Sequence, residues 1–348
     1  MNVDLVTFGE AMVRLTAPNF MRLEQARSLD VSVGGAEWNV AVNVARLGLK
    51  TAWLSRLVDT WAGRLIAQEA RSHGVDISAV LWEKFDGVGN LRNGFYHLEM
   101  GAGPRPSSVT YDRGHTAVAQ MTLDMVDWKA VLSGARWLHV SGITPALSAQ
   151  LAETVIAAFR IAADCGVRAS YDLNYRGKLW TPQRAQQVNA QVMPHVRVLI
   201  GNEEDFEKCL GIKAKGTGKD YTALDPESYV AVAREVMNRY PNVEMVAATL
   251  RNAKTGLLND WRVLMLDRRQ SHASRVYENL EIVDRVGGGD SFSSALIFGV
   301  LSGWPVEKVC EFAGAYSALA HTFPGDINWA TCQEALKVMA GAAARISR

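Results

Sequence analysis

Three consecutive glycines followed by an aspartate form the segment of this sequence best suited to chemistry. Gly287, Gly288 and Gly289 stand directly before Asp290, and a strongly helical stretch follows over residues 293–301. Glycine lets a backbone turn tightly and bring its N–H groups close to a ligand, and the N-terminus of a helix attracts anions. An acid beside such a site is placed to take a proton from an attacking hydroxyl. The segment predicts a phosphoryl-transfer centre, with the three glycines as the anion hole and Asp290 as the catalytic base.

A simpler interpretation treats the segment as a glycine-rich loop in which Asp290 only caps the helix. Two common nucleotide-binding motifs are excluded. No Gly-Lys-Ser/Thr sequence follows the glycines, as a P-loop requires, and no G-x-G-x-x-G accompanies the first predicted strand. The choice between the two interpretations depends on the rest of the chain.

The composition is that of a globular protein without a nucleic-acid or membrane partner. The chain has 348 residues, 48% of them hydrophobic, which is enough for one large domain. The formal net charge is +1, without the basic excess of nucleic-acid-binding proteins. No run of about 18 apolar residues is present, and the N-terminus reads as a first strand rather than a signal peptide. The widely spaced cysteines predict reduced thiols in a cytoplasmic protein: Cys165, Cys209, Cys310 and Cys332.

The elements that must position Asp290 follow from an alternation of apolar runs and helical patterns. The predicted strands are Leu5–Gly9, Thr51–Ser55, Trp137–Ser141, Arg168–Asp172, Val196–Ile200 and Met245–Thr249. The predicted helices are Ala36–Leu47, Trp61–His73, Ala149–Asp164, Thr181–Val192, Pro226–Arg239, Asp290–Leu301, Val306–Thr322 and Thr331–Ala343. This order predicts an α/β fold with a mainly parallel sheet between two layers of helices. Residues 213–224, rich in Lys, Gly and Thr, predict an exposed loop.

Two regions break this alternation. Residues 12–33 and 80–113 are strand-like, and the second region has glycine-rich turns at Asp86-Gly87, Asn93-Gly94 and Gly101–Pro104. Together they predict a small second sheet that is discontinuous in sequence, in the position of a lid over an active site. The alternative is a set of ordinary hairpins on the surface of the domain.

The sequence resembles the PfkB, or ribokinase-like, carbohydrate kinases over essentially its whole length. Residues 284–292, Asp-Arg-Val-Gly-Gly-Gly-Asp-Ser-Phe, resemble the C-terminal signature D-T-x-G-A-G-D-x-F of that family. The N-terminal signature has its counterpart, in the expected order, in Gly34, Gly35, Asn39, Ala41, Asn43, Ala45, Leu47 and Gly48. The resemblance implies a Rossmann-type core with a β-sheet lid, ATP and Mg²⁺ as cofactors, and a homodimer whose lids clasp each other.

The resemblance also implies roles for individual residues. Asp290 matches the catalytic base, and Gly287, Gly288 and Gly289 match the anion hole. Asn202 matches the start of an N-x-x-E motif that acts near Mg²⁺ and phosphate, with Asp205 in place of Glu. We therefore expect Asn202 and Asp205 to act on the metal through water, with Glu204 as the competing candidate. Helix capping is the alternative explanation of this acidic segment.

The nucleotide side of the site departs further from the family. Only Thr249 matches the nucleotide strand T-x-G-x-x-G, and Arg285 and Gly288 replace the usual Thr and Ala of the C-terminal signature. The helix around Gly314 is expected near adenine, although its small residues are also explained by helix packing. A monovalent cation is a further expectation left open, and the loop near Asp284 is its expected place.

Within the family, the sequence is most similar to the 2-keto-3-deoxygluconate kinases. The similarity lies in Gly34–Glu37, Phe95–Glu99, Pro104–Arg113 and Asp172–Trp180. It implies that the substrate is bound by Gly34, Gly35, Asn39, Tyr96, Tyr111, Arg113, Arg176 and Asp290. The chemistry of these residues agrees, because a guanidinium fork matches the carboxylate of a sugar acid and a tyrosine offers a flat face with a hydroxyl.

Each of these substrate residues also has a structural explanation. Packing within the second sheet would account for Tyr96 and Tyr111, and an ion pair with Asp172 or Asp290 would account for Arg176. Glu10, at the end of the first predicted strand, is equally well explained as a turn acid and is left out of the predicted site. The sequence predicts an ATP-dependent kinase for the primary hydroxyl of 2-dehydro-3-deoxy-D-gluconate or a related sugar acid. The alternatives are a kinase for a neutral sugar or nucleoside and a sugar-binding pseudokinase.

Overall fold

A computed structural model describes residues 2–213 and 226–341 of the chain. The strands are β1 (Leu5–Phe8), β2 (Met12–Thr16), β3 (Asp30–Gly34), β4 (Thr51–Leu54), β5 (Arg56–Val58), β6 (Leu81–Glu83), β7 (Gly94–Glu99), β8 (Ser108–Asp112), β9 (Trp137–Ser141), β10 (Arg168–Asp172), β11 (Val198–Ile200), β12 (Met245–Ala253), β13 (Leu258–Asp267), β14 (Ser271–Ala273) and β15 (Tyr277–Glu281). The helices are α1 (Ala36–Arg46), α2 (Trp61–Ser72), α3 (Trp128–Leu132), α4 (Ile143–Ala146), α5 (Ala149–Asp164), α6 (Pro182–Val192), α7 (Glu203–Leu210), α8 (Pro226–Arg239), α9 (Gly288–Leu301), α10 (Val306–Ala320) and α11 (Cys332–Met339).

A central sheet confirms the predicted α/β fold. Its strand order is β14-β13-β12-β11-β10-β9-β1-β4, with β15 also paired to β13, and all pairs from β12 to β4 are parallel. Leu5 and Trp137 pack on one face, whereas Val6 and Leu138 pack on the other. Successive side chains of a strand point to opposite faces, so both faces are apolar and both are covered by helices.

The crevice at the carboxyl ends of the parallel strands is formed around β1. Strand β1 has β4 on one side and β9 on the other, so the chain changes direction across the sheet at this point. Ligands of open α/β sheets bind at such switch points. Glu10 follows β1 here, and Ser141 and Asp172 end β9 and β10.

The predicted second sheet is present among the described residues and has the order β3-β2-β7-β8. Strands β2 and β7 are parallel, and β3 and β8 run antiparallel to them at the edges. Arg14 of β2 and Tyr96 of β7 are register partners, and both side chains are buried. The sheet therefore turns polar side chains toward the body of the protein.

Two predictions about strands were wrong. Residues 81–83 do not join the second sheet, because β6 pairs with β5 in a separate two-stranded ribbon. Strand β12 does not end at Thr249 but continues to Ala253, where it pairs with Asn259 of β13. Backbone pairing with β13 holds this extension of β12. Because its residues beyond Leu250 are mostly polar, the apolar pattern does not reveal it.

The predicted helices agree with the structure to within a few residues, and their ends are explained by caps. Thr181 and Thr331 cap α6 and α11 through side-chain oxygens instead of lying inside them. The last predicted helix ends early, at Met339, and residues 342–343 lie outside the described part of the chain. Most of the predicted loop, residues 214–224, also lies outside it. No helix within the two described ranges has the length and apolar character needed to cross a membrane.

Candidate active site

The glycine segment begins helix α9, and each glycine has a different surrounding. Gly287 is the N-cap, with a left-handed backbone (φ 81°), and the backbone carbonyl of Asp326 lies where its Cβ would be. A Cβ on Gly288 would lie 2.7 Å from the ring of His321, whereas Gly289 faces open space. Larger residues are therefore excluded at the first two positions by packing, and the third leaves the helix start open to an anion.

Asp290 lies in the first turn of α9 and does not cap it. Its Oδ2 accepts a hydrogen bond of 2.6 Å from the side-chain amide of Asn39, which α1 places opposite. Burial raises the pKa of Asp290 to about 7, with further contributions from the charges of Asp326 and Glu37, while the Asn39 bond and Arg176 act in the opposite direction. A carboxylate with such a pKa near neutrality is suited to general-base catalysis. The capping interpretation of Asp290 was wrong.

Asn39 connects Asp290 to a second buried aspartate that the sequence analysis did not identify. Its amide also reaches Asp326 Oδ2 at 3.3 Å, and the Tyr96 hydroxyl donates to Asp326 Oδ1 at 2.6 Å. Asp326 and the Tyr96 hydroxyl together occupy the space where a Cβ on Gly34 would lie. The predicted residues Gly34, Asn39, Tyr96 and Asp290 are therefore brought together around Asp326.

Arg14 was also missed by the sequence analysis. Its guanidinium pairs with Asp284 through Nη2 and with Asp326 through Nη1, the latter at 2.8 Å. Its side chain is only 2% exposed. A charged residue between Met12, Val13 and Leu15 in an apolar strand was the signal that could have found it. Asp326 lies in a loop after α10, where sequence offers no comparable signal.

Glu37, at the start of α1, ties this helix to the end of β9. Its Oε1 accepts hydrogen bonds of 2.7–2.8 Å from the Ser141 backbone, the Ser141 hydroxyl and the Thr144 hydroxyl. Burial raises the pKa of Glu37 despite these bonds. Gly35 precedes this helix start in close contact with the Glu10 backbone, which only a residue without a side chain permits. These contacts fix the direction in which Asn39 points.

Arg113 and Tyr111, at the end of β8, lie against each other and against Glu10. Arg113 Nη2 pairs with Glu10 Oε2 at 2.5 Å, and the guanidinium lies 5.2 Å from the centre of the Tyr111 ring. Glu10 is buried and accepts a second bond of 2.5 Å from Thr116. The Tyr111 ring lies 5.9 Å from that of Tyr96 and is 43% exposed. Glu10 is therefore a partner of Arg113 rather than an isolated turn acid.

Arg176 lies in the loop after β10 with an exposed side chain. Its charge acts on Asp172, Asp205 and Asp290, in each case lowering the pKa. No ion pair joins it to Asp172 or Asp290 in the described part of the chain. The suggested ion pair is thus not formed, and the guanidinium faces an acidic cluster from the solvent side.

Asn202 and Asp205 form a capping box at the start of α7. The Asp205 backbone donates to Asn202 Oδ1 at 3.0 Å, and the Asn202 backbone donates to Asp205 Oδ2 at 2.9 Å. Asp205 Oδ1 also accepts a bond of 2.9 Å from the Tyr175 backbone. The alternative explanation, that Asn202 and Asp205 cap a helix, is therefore correct. No cluster of three metal-binding side chains occurs in residues 2–213 and 226–341.

The residues expected on the nucleotide side lie within regular structure. Thr249 is half-buried in β12, and Ser274 lies 2.7 Å from where a Cβ on Gly314 would be, so helix packing explains this glycine. Arg285 donates to the backbone carbonyls of Thr255 and Gly256 at 2.9 and 3.0 Å. The arginine that departs from the family signature therefore anchors the β12–β13 hairpin beside the glycine segment.

The sequence matches the pfkB family carbohydrate kinase profile over residues 2–332. The chain belongs to this family of carbohydrate kinases. It is 36% identical to a 2-dehydro-3-deoxygalactonokinase of Haloferax volcanii, covering 100% of both chains. It is 28% identical to a 2-dehydro-3-deoxygluconokinase of Bacillus subtilis, over 97% of this chain and 95% of the relative.

A solved structure of 2-dehydro-3-deoxygluconokinase from Thermotoga maritima has the same fold. It superposes with a TM-score of 0.91 at 42% identity, covering 97% of this chain and 100% of the other. The kinase therefore has the ribokinase-like architecture that its two signatures predicted, and the family's use of ATP and Mg²⁺ extends to it.

Proposed function

We propose that this kinase transfers the γ-phosphoryl group of ATP to the primary hydroxyl of 2-dehydro-3-deoxy-D-gluconate or a closely related sugar acid. The observation that carries the proposal is Asp290 in the first turn of α9. It directly follows Gly289, which faces open space, and burial raises its pKa to about 7. The relatives named above act on sugar acids of this kind, and this supports the choice of substrate.

The proposed roles follow from what each side chain can donate or accept. Asp290 takes the proton of the attacking hydroxyl, and the amides of Gly287, Gly288 and Gly289 stabilise charge on the transferred group. Tyr111 presents its exposed ring and hydroxyl to the sugar, and Tyr96 lies beside it with its hydroxyl bonded to Asp326. Gly34, Gly35 and Asn39 lie opposite. Arg113 and Arg176 supply positive charge for the carboxylate of the substrate.

The residues fit a nucleotide with a divalent cation. Burial raises the pKa of Asp172 well above its ordinary value, and the charges of Asp205 and Asp290 raise it further. A cation near Asp172 would favour its ionised form, which burial and the charges of Asp205 and Asp290 oppose. Mg²⁺, when bound, neutralises phosphate charge. We propose that Asn202 and Asp205 hold it through water, and that Thr249, Gly287, Gly289 and Gly314 border the nucleotide.

A kinetic comparison tests the substrate. We expect the highest kcat/KM for 2-dehydro-3-deoxy-D-gluconate or its C4 epimer, the galactonate form, and far lower values for fructose and ribose. The Haloferax volcanii relative favours including the epimer. Equal efficiency with fructose would contradict the sugar-acid proposal while leaving the kinase activity intact. Thermal shifts with sugars but no ADP formation would indicate a binding protein instead.

We also propose a homodimer formed through the second sheet. Strand β3 is an open edge, and its Val31 is 53% exposed; Trp61 at the start of α2 is 56% exposed and packs on Phe95 of β7. An exposed apolar edge strand is a natural site for pairing with another copy. Light scattering should give twice the monomer mass, and Val31→Lys should reduce it. A wild-type monomer would contradict the proposal.

The proposed location is the cytoplasm. All four cysteines are free thiols, and Cys209 and Cys310 are buried. Reduced thiols persist in reducing compartments, which supports this location. Fractionation of the producing cells, with the activity followed in each fraction, provides the test. Recovery of the activity outside the cytoplasmic fraction would contradict it.

A further inference from the structure

Arg14 is a buried cation whose nitrogens are all used inside the protein. Its Nη2 pairs with Asp284, its Nη1 with Asp326, and its Nε donates to Thr16 Oγ1 at 2.9 Å. The two aspartates are 3% and 5% exposed. Burial opposes the charge, but the two carboxylates hold the pKa of Arg14 well above its ordinary value. The guanidinium therefore stays charged at every pH at which the protein is folded.

Asp284 joins the two backbone segments that surround the anion hole. Its Oδ1 accepts a bond of 3.0 Å from the Val286 amide, one residue before Gly287. Its Oδ2 accepts a bond of 3.0 Å from the Gly325 amide, next to Asp326. Arg14 pairs with the same oxygen, so strand β2 of the second sheet is tied directly to the glycine segment.

This arrangement does not fit the monovalent cation that the sequence left open near Asp284. A bound cation needs oxygen lone pairs directed at it, and a carboxylate offers about four. Two backbone N–H groups and the guanidinium already take three of those on Asp284. A second cation would also lie against Arg14 in a water-poor interior, where repulsion between like charges is strongest.

We propose that Arg14 is the built-in cation of the phosphoryl-transfer loop, replacing an exchangeable monovalent cation at Asp284 and fixing the loop relative to the second sheet. Arg14 is thus a positioning residue, which acts on the glycine segment through Asp284. Turnover then does not depend on K⁺ or Na⁺. The inference rests on the proposed function only for the choice of reaction used to measure turnover.

The first test uses the wild-type enzyme in KCl, NaCl and choline chloride at equal ionic strength. We expect the same kcat in all three salts and the same Tm in the absence of substrate. Saturable activation by K⁺ or Na⁺, or a rise in Tm specific to one of them, would overturn the proposal.

The second test removes the built-in cation with Arg14→Met. We expect kcat to fall by about 100-fold or more, the cost of misplacing a catalytic segment by about 1 Å. Added K⁺ or guanidinium should restore part of the activity and raise the Tm of this variant. Guanidinium normally lowers the Tm of a protein, so a rise in Tm would indicate that it binds in the space left by the Arg14 side chain. Arg92→Met is the control, because Arg92 pairs with exposed Asp112 at the edge of the same sheet.

Two results would count against the proposal in this series: no response of Arg14→Met to either cation, or an equal response of Arg92→Met. If Arg14→Met does not fold, Arg14→Lys keeps the charge and should remain independent of K⁺, and activation of it by K⁺ would contradict the proposal. The Tm measurements need no sugar. A failure of the sugar-acid assignment therefore leaves them valid, and K⁺-dependent turnover of a sugar acid would overturn only the role of Arg14.

Discussion

Asp290 and Asp284 lie in one short segment, but the protein surrounds them in opposite ways. Asp284 has a cation and two backbone amides on its carboxylate, whereas in the described chain only the neutral amide of Asn39 donates to Asp290. The three donors on Asp284 make it a structural link between segments. A carboxylate that has a single neutral partner keeps an oxygen available to a substrate hydroxyl and a pKa close to neutrality.

The largest effect should come from Asp290→Asn, which removes the base and keeps the shape. We expect kcat to fall by about 10³-fold, within the range known for general bases, while the sugar still binds. Steady-state kinetics and calorimetry of sugar binding measure the two quantities. Retention of more than a few per cent of turnover would contradict the role of Asp290 as the base.

The same variant should be more stable than the wild type at pH 8 but not at pH 4. In the folded protein the pKa of Asp290 is about 7, above its ordinary value of 3.8, so ionisation destabilises the fold progressively between these pH values. The gain should therefore grow from pH 4 to pH 7, level off above, and reach at most about a few kcal/mol. Urea unfolding of both proteins across this range measures it, and a pH-independent difference would speak against the shifted pKa.

Replacing Asp326, which like Asp284 is a buried partner of Arg14, should mainly lower the free energy of unfolding. Asp326→Ala leaves Asp284 as the one charged partner of Arg14 and removes the acceptor of the Tyr96 hydroxyl, so we expect a loss of about 3 kcal/mol in unfolding free energy. Asp112→Ala removes an exposed partner of Arg92 and should cost less than about 1 kcal/mol. Equal losses of unfolding free energy in the two variants would show that the buried network stabilises the protein no more than the surface pair does.

Arg113→Lys keeps the charge opposite Glu10 and removes the planar fork. If Arg113 binds the carboxylate of the substrate, KM for the sugar acid should rise about tenfold, with a smaller change in kcat. Arg92→Lys is the matched control, because Arg92 lies just before β7 and pairs with Asp112. It should change neither KM nor kcat. An unchanged KM for Arg113→Lys would leave this residue as a structural partner of Glu10 only.

The smallest effect concerns the pH profile. The Asn39 amide lowers the pKa of Asp290, so Asn39→Ala should move the acidic limb of kcat/KM toward higher pH, by about one unit or less. Asn43→Ala is the control, since Asn43 bonds Ser291 and the Asn328 backbone from the same helix. If the pH profile of the Asn39 variant matches that of the wild type, Asn39 does not influence the pKa of Asp290.

Much of the fold could be predicted because its signals are local. Strands β9 and β10 were predicted to the residue, because β9 is largely apolar and β10 follows the strongly helical segment of α5 in the alternation of strands and helices. The β12–β13 extension and the β5–β6 ribbon were not predicted. Their stability comes from backbone pairing between distant segments, which leaves little trace in the apolar pattern.

By itself, the sequence determined the α/β fold, the family, the glycine segment and Asp290. These depend on residues close together in the chain, or on two signatures in a known order. Only the tertiary structure decided which charges meet. Arg14 pairs with Asp284 and Asp326, and Arg113 pairs with Glu10. The physical reason is that the strength of an ion pair depends on burial and on distances of a few ångströms between segments hundreds of residues apart, which no local pattern records.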